Sequence, residues 1–356
     1  MLSRAAFATL VVTGVASIAF ACPCACALAQ PGDSHAAETP LAVLRRVLTS
    51  EERVRFAARQ TVILSDRGRA DATVTDEVNF GFARGRVTWL LPENNRGRVS
   101  VRDGRRRWAI EPSSRTVVES EVVHRPITAA RAEAIARQVA RSYVLTIAKE
   151  PSSVAGRPAL ILTLAPRRPD RQRRMWWVDR QTGLVLKREV YSPGGGLEQS
   201  TSYSNLRMNI PVDVTLLKPA VPRGYRVVRR PADNVVTRIE SARRLIPAFG
   251  DIPASLGAGF EFESARLVDA DGARSLQLQY SDGLAGLSLF KIPARTRLPQ
   301  SAGRTRTVAV GSASGTIMES VAPYRVLTWE IAGATFNLVS DVSEGTMIAI
   351  ARSVHF

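Results

Sequence analysis

A series of short segments with period-two alternation, each ended by turn residues, restricts the fold of this sequence more than any other feature. Such alternation is typical of antiparallel strands with one buried face. Clusters of Asp, Gly, Pro and Asn separate the segments, as expected for tight connections. A long strand begins near Val54, and it is followed by segments at 72–82, 86–91, 98–102, 106–111, 116–123, 157–166 and 197–208. We therefore predict an antiparallel meander.

A tryptophan-rich hairpin, MWWVDRQTGLVLKREVY, spans residues 175–191. Its five polar residues 179–183 have turn chemistry, because Asp179 can accept hydrogen bonds from turn amides and Gly183 can adopt positive φ. Trp176 and Trp177 are adjacent on a predicted strand, so their rings should point to opposite faces of the sheet. We expect one ring in the concavity of a curled sheet and the other outside it, beneath a covering element.

Two segments have helical periodicity. Pro40 opens a short one, and residues 127–145 are rich in alanine, with Ala132, Ile135, Val139 and Tyr143 at helical spacing. A sheet with one apolar face must curl into a barrel or be covered by helices. The predicted fold class is therefore mainly β (α+β): a half-open antiparallel β-barrel with covering helices, followed by a smaller α+β domain.

The second domain follows a proline-rich stretch. Residues 218–254 contain five prolines and little periodicity, which is typical of an interdomain connection. Alternating strands resume at about residue 258, with a YSDG turn at 280–283, and residues 342–354 have helical spacing. The predicted organisation is a signal peptide (1–29), a flexible tether (30–39), the barrel domain (40–217), the connection (218–254) and the α+β domain (255–356).

The N-terminus predicts export. Arg4, an apolar run over 5–21 and the sequence ALAQ at 27–30 match a secretory signal cleaved after Ala29. The alternative is a lipidated Cys22, although Ala19 stands where a lipobox usually has leucine. All three cysteines lie before residue 30, so a cleaved chain has no disulfide and no thiolate metal site. No later apolar run approaches the ~20 residues of a membrane span, so we expect a soluble periplasmic protein.

Positive charge is concentrated in the first half of the chain. The net charge is +17; residues 30–224 have 33 Lys and Arg against 20 Asp and Glu, whereas residues 225–356 have 15 against 12. A solvated, arginine-rich surface would explain this composition without any ligand. The alternative is anion binding by two basic clusters next to tryptophans. These clusters are Arg105, Arg106 and Arg107, and Arg167, Arg168, Arg171, Arg173 and Arg174.

The nature of the anion follows from the compartment. Export argues against nucleic acid, so the expected anions are lipid headgroups, lipopolysaccharide phosphates or an acidic protein segment. Aromatic side chains in the same domain could line a cavity for acyl chains, although each of them could equally be core. The cavity candidates are Phe56, Phe80, Phe82, Trp89, Trp108, Ile110 and Trp176, with the pairs Phe80 and Phe82, and Trp108 and Ile110, each expected on one side of a strand.

Catalytic and metal-binding signatures are missing from the sequence. The three histidines, His35, His124 and His355, are far apart, and there is no HExxH motif, CxxC motif, Walker loop or dinucleotide fingerprint. A carboxylate-pair hydrolase is the remaining enzymatic alternative, since several acids lie on predicted strands. We predict a binding protein without enzymatic activity, metal or cofactor.

At MWWVDRQTGLVLKREVYSPGGGLEQSTSYSNL, residues 175–206, the sequence resembles the MucB/RseB family of periplasmic sigma-E regulators. QYSDGLAGLSLFK (279–291) and the terminal IARSVHF are similar to segments of that family's C-terminal domain. The likeness runs from about residue 40 to 356. This sequence departs from the family in its high arginine content and in a mature chain without cysteine.

The resemblance implies a first domain similar to the lipoprotein carriers LolA and LolB. It also implies binding to the periplasmic region of a membrane-anchored anti-sigma factor, shielding of that factor from proteolysis, and release by lipopolysaccharide or mislocalised lipoprotein. A periplasmic lipid or lipoprotein carrier using the same cavity is the alternative, and a structural envelope protein with a filled barrel is a third. A homo-oligomer is compatible with any of these.

Overall fold

The computed structural model describes residues 38–66, 69–122, 126–230, 235–245, 252–270, 273–293, 305–319, 324–331 and 333–354. The described residues form two compact units. The first contains residues 38–167 and 172–230, and the second contains residues 168–171 and 235–354. The predicted signal peptide, most of the predicted tether and all three histidines lie outside the described residues.

The first unit is a large curled sheet with two helices, α1 (Pro40–Arg53) and α2 (Ala129–Ser142). The strands are β1 (Phe56–Asp66), β2 (Arg69–Gly81), β3 (Arg84–Leu91), β4 (Val99–Asp103), β5 (Arg106–Glu111), β6 (Thr116–Glu121), β7 (Tyr143–Ile147), β8 (Ser152–Val154), β9 (Arg157–Pro166), β10 (Arg173–Asp179), β11 (Val185–Tyr191), β12 (Leu197–Met208) and β13 (Arg226–Arg230). Their order in the sheet is β13-β6-β5-β4-β3-β2-β1-β12-β11-β10-β9-β7, with β8 paired to β9. The described pairs are antiparallel except β13 with β6.

The predicted meander and the mainly β class are confirmed, and two local predictions are wrong. The helix predicted over 127–145 ends at Ser142, because Tyr143–Ile147 pairs with β9 and is rich in residues that favour strands. The strand predicted over 72–82 ends at Gly81, and Phe82 lies in a turn with φ of 49°. Within the stretch 218–254, Arg226–Arg230 forms a strand that pairs in parallel with β6.

Each helix of the first unit is preceded by a threonine that caps its N-terminus. The side chain of Thr39 accepts a hydrogen bond from the Ala42 amide at 3.3 Å, and that of Thr128 accepts one from the Arg131 amide at 3.2 Å. The helices pack on each other, and both contact β7. Helix α1 also reaches the end of β2, where the Phe82 amide donates to the Glu52 carbonyl at 3.0 Å.

The turn between β10 and β11 has the predicted chemistry. Asp179 Oδ1 accepts hydrogen bonds from the Thr182 amide at 2.8 Å and from the Thr182 hydroxyl at 2.7 Å. Gly183 has φ of 78°, as expected for the left-handed region. Helix α1 lies against this turn, because the Arg46 guanidinium donates to the Arg180 carbonyl at 2.7 Å.

Replacing Gly183 with alanine should therefore cost more than backbone strain alone. An alanine Cβ at this position would lie 2.6 Å from Arg46 Cγ. Gly156→Ala is the matched control, since its φ is 73° but nothing lies within 4 Å of the new Cβ. We expect losses in the free energy of unfolding of ~1 kcal/mol for Gly156→Ala and ~2 kcal/mol for Gly183→Ala, measured by urea denaturation. Equal losses would contradict close packing of α1 on the turn.

The second unit is an eight-stranded sheet with two helices, within the described residues. The elements are α3 (Ile239–Leu245), β14 (Ser255–Leu256), β15 (Phe260–Ala270), β16 (Ala273–Ser281), β17 (Gly286–Pro293), β18 (Thr305–Val310), β19 (Ala313–Glu319), β20 (Arg325–Ile331), β21 (Ala334–Ser340) and α4 (Glu344–Ser353). The strand order is β14-β15-β16-β17-β21-β20-β19-β18. The predicted C-terminal helix is confirmed: Met347 and Ile350 on it are fully buried.

The predicted hairpin at residues 280–283 is also present in the second unit. Asp282 Oδ1 accepts hydrogen bonds from the Leu284 amide at 2.9 Å and the Ala285 amide at 2.7 Å, which fixes the turn between β16 and β17. No helix among the described residues is long and apolar enough to cross a bilayer.

Candidate functional site

Cross-strand register divides the side chains of the first sheet between two faces. Residues paired directly across antiparallel strands lie on the same face. Gln60 lies four residues after Phe56 on β1, so the two side chains lie on the same face of the sheet. Gln60 pairs with Thr75 on β2, and Thr75 pairs with Trp89 on β3, so Trp89 lies on this face as well. Gln60 also pairs with Tyr203 on β12. We call this side the Phe56 face.

The opposite side is filled by an apolar cluster. We call it the Trp108 face, and its members are Val99, Val101, Trp108, Ile110 and Val117, with Tyr225 packed against them. Four of these residues are buried, and the half-buried Trp108 lies beside them. Trp108 and Ile110 thus contribute to a packed core.

The predicted cavity residues are therefore not all brought together. Phe56, Trp89 and Trp176 share the Phe56 face, whereas Trp108 and Ile110 lie on the other. The pairing predicted for Phe80 and Phe82 is wrong, because β2 ends between them. Phe80 is buried, and Phe82 is 42% exposed in its turn.

Phe56 itself is a core residue. Its ring packs edge-on against Tyr203, with centroids 5.4 Å apart. The Tyr203 hydroxyl donates to Glu77 at 2.9 Å, so the polar end of this ring is satisfied. Phe56 and Tyr203 belong to one cluster with Val54, Ala58, Ala159, Leu184 and Leu186, and Trp177 packs against this cluster.

The two adjacent tryptophans have different neighbours. Trp176 pairs with Arg188 and Leu162, whereas Trp177 pairs with Lys187, whose ammonium lies 4.4 Å from the Trp177 ring centroid. Both rings are half-buried. A cation–π contact of this kind stabilises a partly exposed ring by ~0.5–1 kcal/mol, so Trp177 is explained without a ligand.

The structure separates the predicted basic clusters. Arg105 is exposed, Arg106 lies 3.7 Å from Glu119, and Arg107 points to the Phe56 face. Arg171 is buried in the second unit, where it donates to the Asp282 carboxylate and the Ala258 carbonyl. The remaining arginines have separate surroundings: Arg167 bonds the Ala140 carbonyl at 3.4 Å, Arg168 pairs with Asp170 at 3.2 Å, Arg173 lies 4.4 Å from the Tyr191 ring, and Arg174 shares the Phe56 face with Trp176.

A different set of arginines converges on the Phe56 face. Arg102 on β4 pairs directly with Arg107 on β5, and Arg98 lies 5.0 Å from the Trp89 ring centroid. Glu111 pairs with Arg98 at 2.8 Å. We call Arg98, Arg102 and Arg107 the arginine cluster. Trp89 and Glu111 border it.

The ionisation of this cluster is shifted by its surroundings. Burial lowers the pKa of the Arg107 guanidinium, and the positive charges of Arg102 and Arg98 lower it further. Burial also raises the pKa of the Glu111 carboxyl, an effect that Arg98 and Arg107 only partly oppose. Both shifts have burial as their main cause, and the lowered Arg107 pKa also reflects the neighbouring positive charges of Arg102 and Arg98.

Sequence reasoning missed Arg98 and Arg102. Consecutive arginines such as Arg105–Arg107 attract notice, but neighbours on a strand point to opposite faces. The available signal was Gly104, which can adopt the positive φ of a tight hairpin turn. A two-residue loop of Gly104 and Arg105 pairs Asp103 with Arg106 and therefore places Arg102 opposite Arg107.

The comparisons with known proteins agree with this architecture. Residues 87–221 match the family model of the MucB/RseB N-terminal domain. The predicted resemblance to the MucB/RseB family is confirmed. The matched segment runs from β3 to the residues before β13, so it contains the arginine cluster and the tryptophan hairpin. No curated protein matches the sequence.

Solved MucB structures share the fold of this chain. A structure of the Pseudomonas aeruginosa MucA/MucB complex matches with a TM-score of 0.56 at 18% identity, covering 89% of this chain and 98% of that one. MucB in complex with MucA(peri) matches with a TM-score of 0.57 at 18% identity, covering 88% and 97%. MucB alone gives a TM-score of 0.50 at 18% identity, covering 87% and 95%. The shared fold therefore includes both units.

Proposed function

We propose that this protein is an exported, periplasmic regulator that binds the periplasmic region of a membrane-anchored anti-sigma factor and shields it from proteolysis. In this proposal a lipid, a lipopolysaccharide or a lipoprotein acyl chain binds the first unit and weakens the complex. No catalytic step is part of this function.

The observation that supports the proposal best is the extent of the structural match. The MucB/RseB domain model covers one segment of the first unit, but the MucB structures match 89% and 88% of this chain. Those two MucB chains were solved with MucA, in one case with MucA(peri). The match supports the proposal by analogy of fold, and binding of a partner by this chain requires a direct test.

The test uses the full exported chain and the periplasmic region of an anti-sigma factor encoded beside it. We expect the two to form a stable complex in calorimetry. We also expect the complex to be cleaved more slowly than the free partner by a periplasmic protease. The control is the periplasmic region of an unrelated membrane protein, which should be cleaved at the same rate with or without this chain.

Other outcomes would assign the protein to another class. A chain that purifies with acyl chains but binds no anti-sigma factor would be a lipid or lipoprotein carrier. A chain that binds neither would be a structural envelope protein, and the regulatory proposal would be rejected.

We place the lipid ligand of this proposal on the Phe56 face. Trp89 and Trp176 are half-buried there, whereas the Trp108 face is occupied by its own cluster. Apolar side chains that are only partly covered can accept acyl methylenes, each contributing ~0.8 kcal/mol when buried.

Fluorescence quenching by a brominated acyl amphiphile tests this placement. We expect the double variant Trp89→Phe, Trp176→Phe to lose most of the quenching, because the strand register puts the two replaced rings on this face. Trp108→Phe is the matched control and should retain the quenching. The reverse pattern would move the ligand to the Trp108 face, and no quenching in any protein would remove the lipid from the proposal.

A further inference from the structure

The arginine cluster has an excess of positive charge that the neighbouring residues do not neutralise. Three guanidinium groups face one carboxylate, that of Glu111, which leaves a formal charge of +2. Glu111 is bonded to Arg98 alone in this group. Within the part of the chain that the structure describes, neither Arg102 nor Arg107 forms an ion pair.

This arrangement is unfavourable by itself. Like charges directly opposite each other on antiparallel strands destabilise a sheet, and Arg102 is directly opposite Arg107. In addition, the Arg107 Nε–H is buried and has no hydrogen-bond partner among the described residues. A buried donor without a partner costs ~1–3 kcal/mol. Violations of this kind are concentrated at functional sites, where a ligand supplies the missing partner.

We propose that Arg98, Arg102 and Arg107 form a binding site for a phosphate oxyanion, bordered by the ring of Trp89. The oxyanion accepts hydrogen bonds from the guanidinium groups of Arg102 and Arg107 and lies within the field of Arg98. Arg98 keeps its bond to Glu111 and its position near Trp89, so it is held in place before the ligand arrives.

Charge distinguishes phosphate from a carboxylate as the ligand. A phosphate monoester carries about −1.5 to −2 at neutral pH and offers three acceptor oxygens, which matches the excess of +2 and the several donors. A single carboxylate would leave one positive charge unneutralised and satisfy fewer N–H groups. Guanidinium groups also bind phosphate in a bidentate geometry that lysine cannot provide.

The site rests on its own contacts and does not depend on an anti-sigma partner. Binding of inorganic phosphate to the purified full chain can be measured without any partner. Loss of partner binding would leave this measurement unchanged, and absence of phosphate binding would leave the partner proposal unchanged.

The experiment compares inorganic phosphate binding to the wild-type chain and to single variants by calorimetry. Arg107→Gln removes the Arg107 charge and its buried Nε–H and should weaken phosphate binding at least tenfold. Arg102→Gln should do the same and gives a second, independent variant. The matched control is Arg86→Gln, because Arg86 pairs with Val101 and therefore lies on the opposite face of the same sheet. It removes one charge from the sheet and should leave phosphate binding unchanged.

A stability measurement separates a binding role from a structural one. Without phosphate, Arg107→Gln should melt no lower than the wild type, because it relieves repulsion between like charges. A large drop in melting temperature for Arg107→Gln would overturn the proposal. So would failure of the wild type to bind phosphate, or equal binding by Arg107→Gln and Arg86→Gln.

The source of the phosphate is decided by a second probe. Dihexanoyl phosphatidic acid carries the same phosphate monoester on two acyl chains. If it binds the wild type at least tenfold more tightly than inorganic phosphate, and both need Arg107, then the site recognises a lipid headgroup. Equal affinities with the same dependence would assign the site to a free phosphate. Acetate is the carboxylate control; binding of acetate as tight as that of phosphate would overturn the preference for phosphate.

Discussion

Replacing Trp329 with alanine should lower the free energy of unfolding of the second unit by ~3–5 kcal/mol. Trp329 is 2% exposed and stacks on Phe336, with ring centroids 5.3 Å apart and planes 18° from parallel. The two rings are paired directly across β20 and β21 in the centre of the core of this unit. Removing the indole leaves a cavity that the paired strands cannot close. The loss therefore includes both the transfer free energy of the indole and the cost of the cavity.

Urea denaturation followed by circular dichroism measures this loss. Ile331→Ala is the matched control, because Ile331 lies two residues further along the same strand but is 41% exposed. We expect a change of less than ~0.5 kcal/mol for the control. Similar losses in the two variants would mean that the Trp329 stack does not stabilise the core.

Strands with strict alternation and strong turn residues could be predicted from the sequence alone. The bounds 106–111 and 157–166 are the same in prediction and structure. The main errors arose where local preference and tertiary pairing conflict. Tyr143 continues the helical spacing of the alanine-rich segment, but it pairs with β9, so the helix predicted to reach residue 145 ends at Ser142. Local pattern carries no information on such a partner strand.

The candidate site was harder to predict than the fold because it depends on register. Position in sequence puts adjacent arginines into one cluster, yet Arg106 and Arg107 point to opposite faces of β5. Arg98 and Arg107 are nine positions apart and converge only when β4 and β5 pair. Arg171 is near the tryptophans in sequence, although its carboxylate partner, Asp282, lies 111 positions away. Long-range partners of this kind decide whether a charge is free to bind a ligand.

Replacing Arg157 with leucine should lower the free energy of unfolding of the first unit by ~3 kcal/mol at pH 7. Arg157 Nε lies 2.6 Å from Asp179 Oδ2, and the Asp179 side chain is only 1% exposed. Without Arg157 the carboxylate stays buried and loses its only described ion pair, while the two bonds from Thr182 remain.

Arg96→Leu is the matched control for this loss. Arg96 pairs with Glu93 at 3.1 Å, but both side chains are largely exposed, at 65% and 74%. An exposed pair contributes little, so we expect a change of less than ~0.5 kcal/mol, measured by urea denaturation. A loss for Arg157→Leu no larger than that of the control would contradict the role of the buried pair.

The stability lost in Arg157→Leu should also depend on pH, with a sign that follows from Asp179. Burial opposes ionisation of this carboxyl, but hydrogen bonds from Arg157 and Thr182 outweigh burial and hold its pKa below the ordinary value. A lowered pKa in the folded state contributes stability above the unfolded pKa of ~3.9, and that stability is lost as pH falls through the folded pKa.

In Arg157→Leu the Asp179 carboxyl stays buried but loses the hydrogen bonds from Arg157, which are the main interaction that lowers its pKa. The pKa of Asp179 therefore rises, and the variant loses less stability in acid than the wild type. The difference between wild type and Arg157→Leu should therefore be largest near pH 7 and shrink below about pH 4, whereas the Arg96→Leu difference stays small throughout. An Arg157→Leu difference that is the same at pH 7 and pH 3 would show that its cost comes from lost packing of the arginine side chain and not from the buried charge of Asp179.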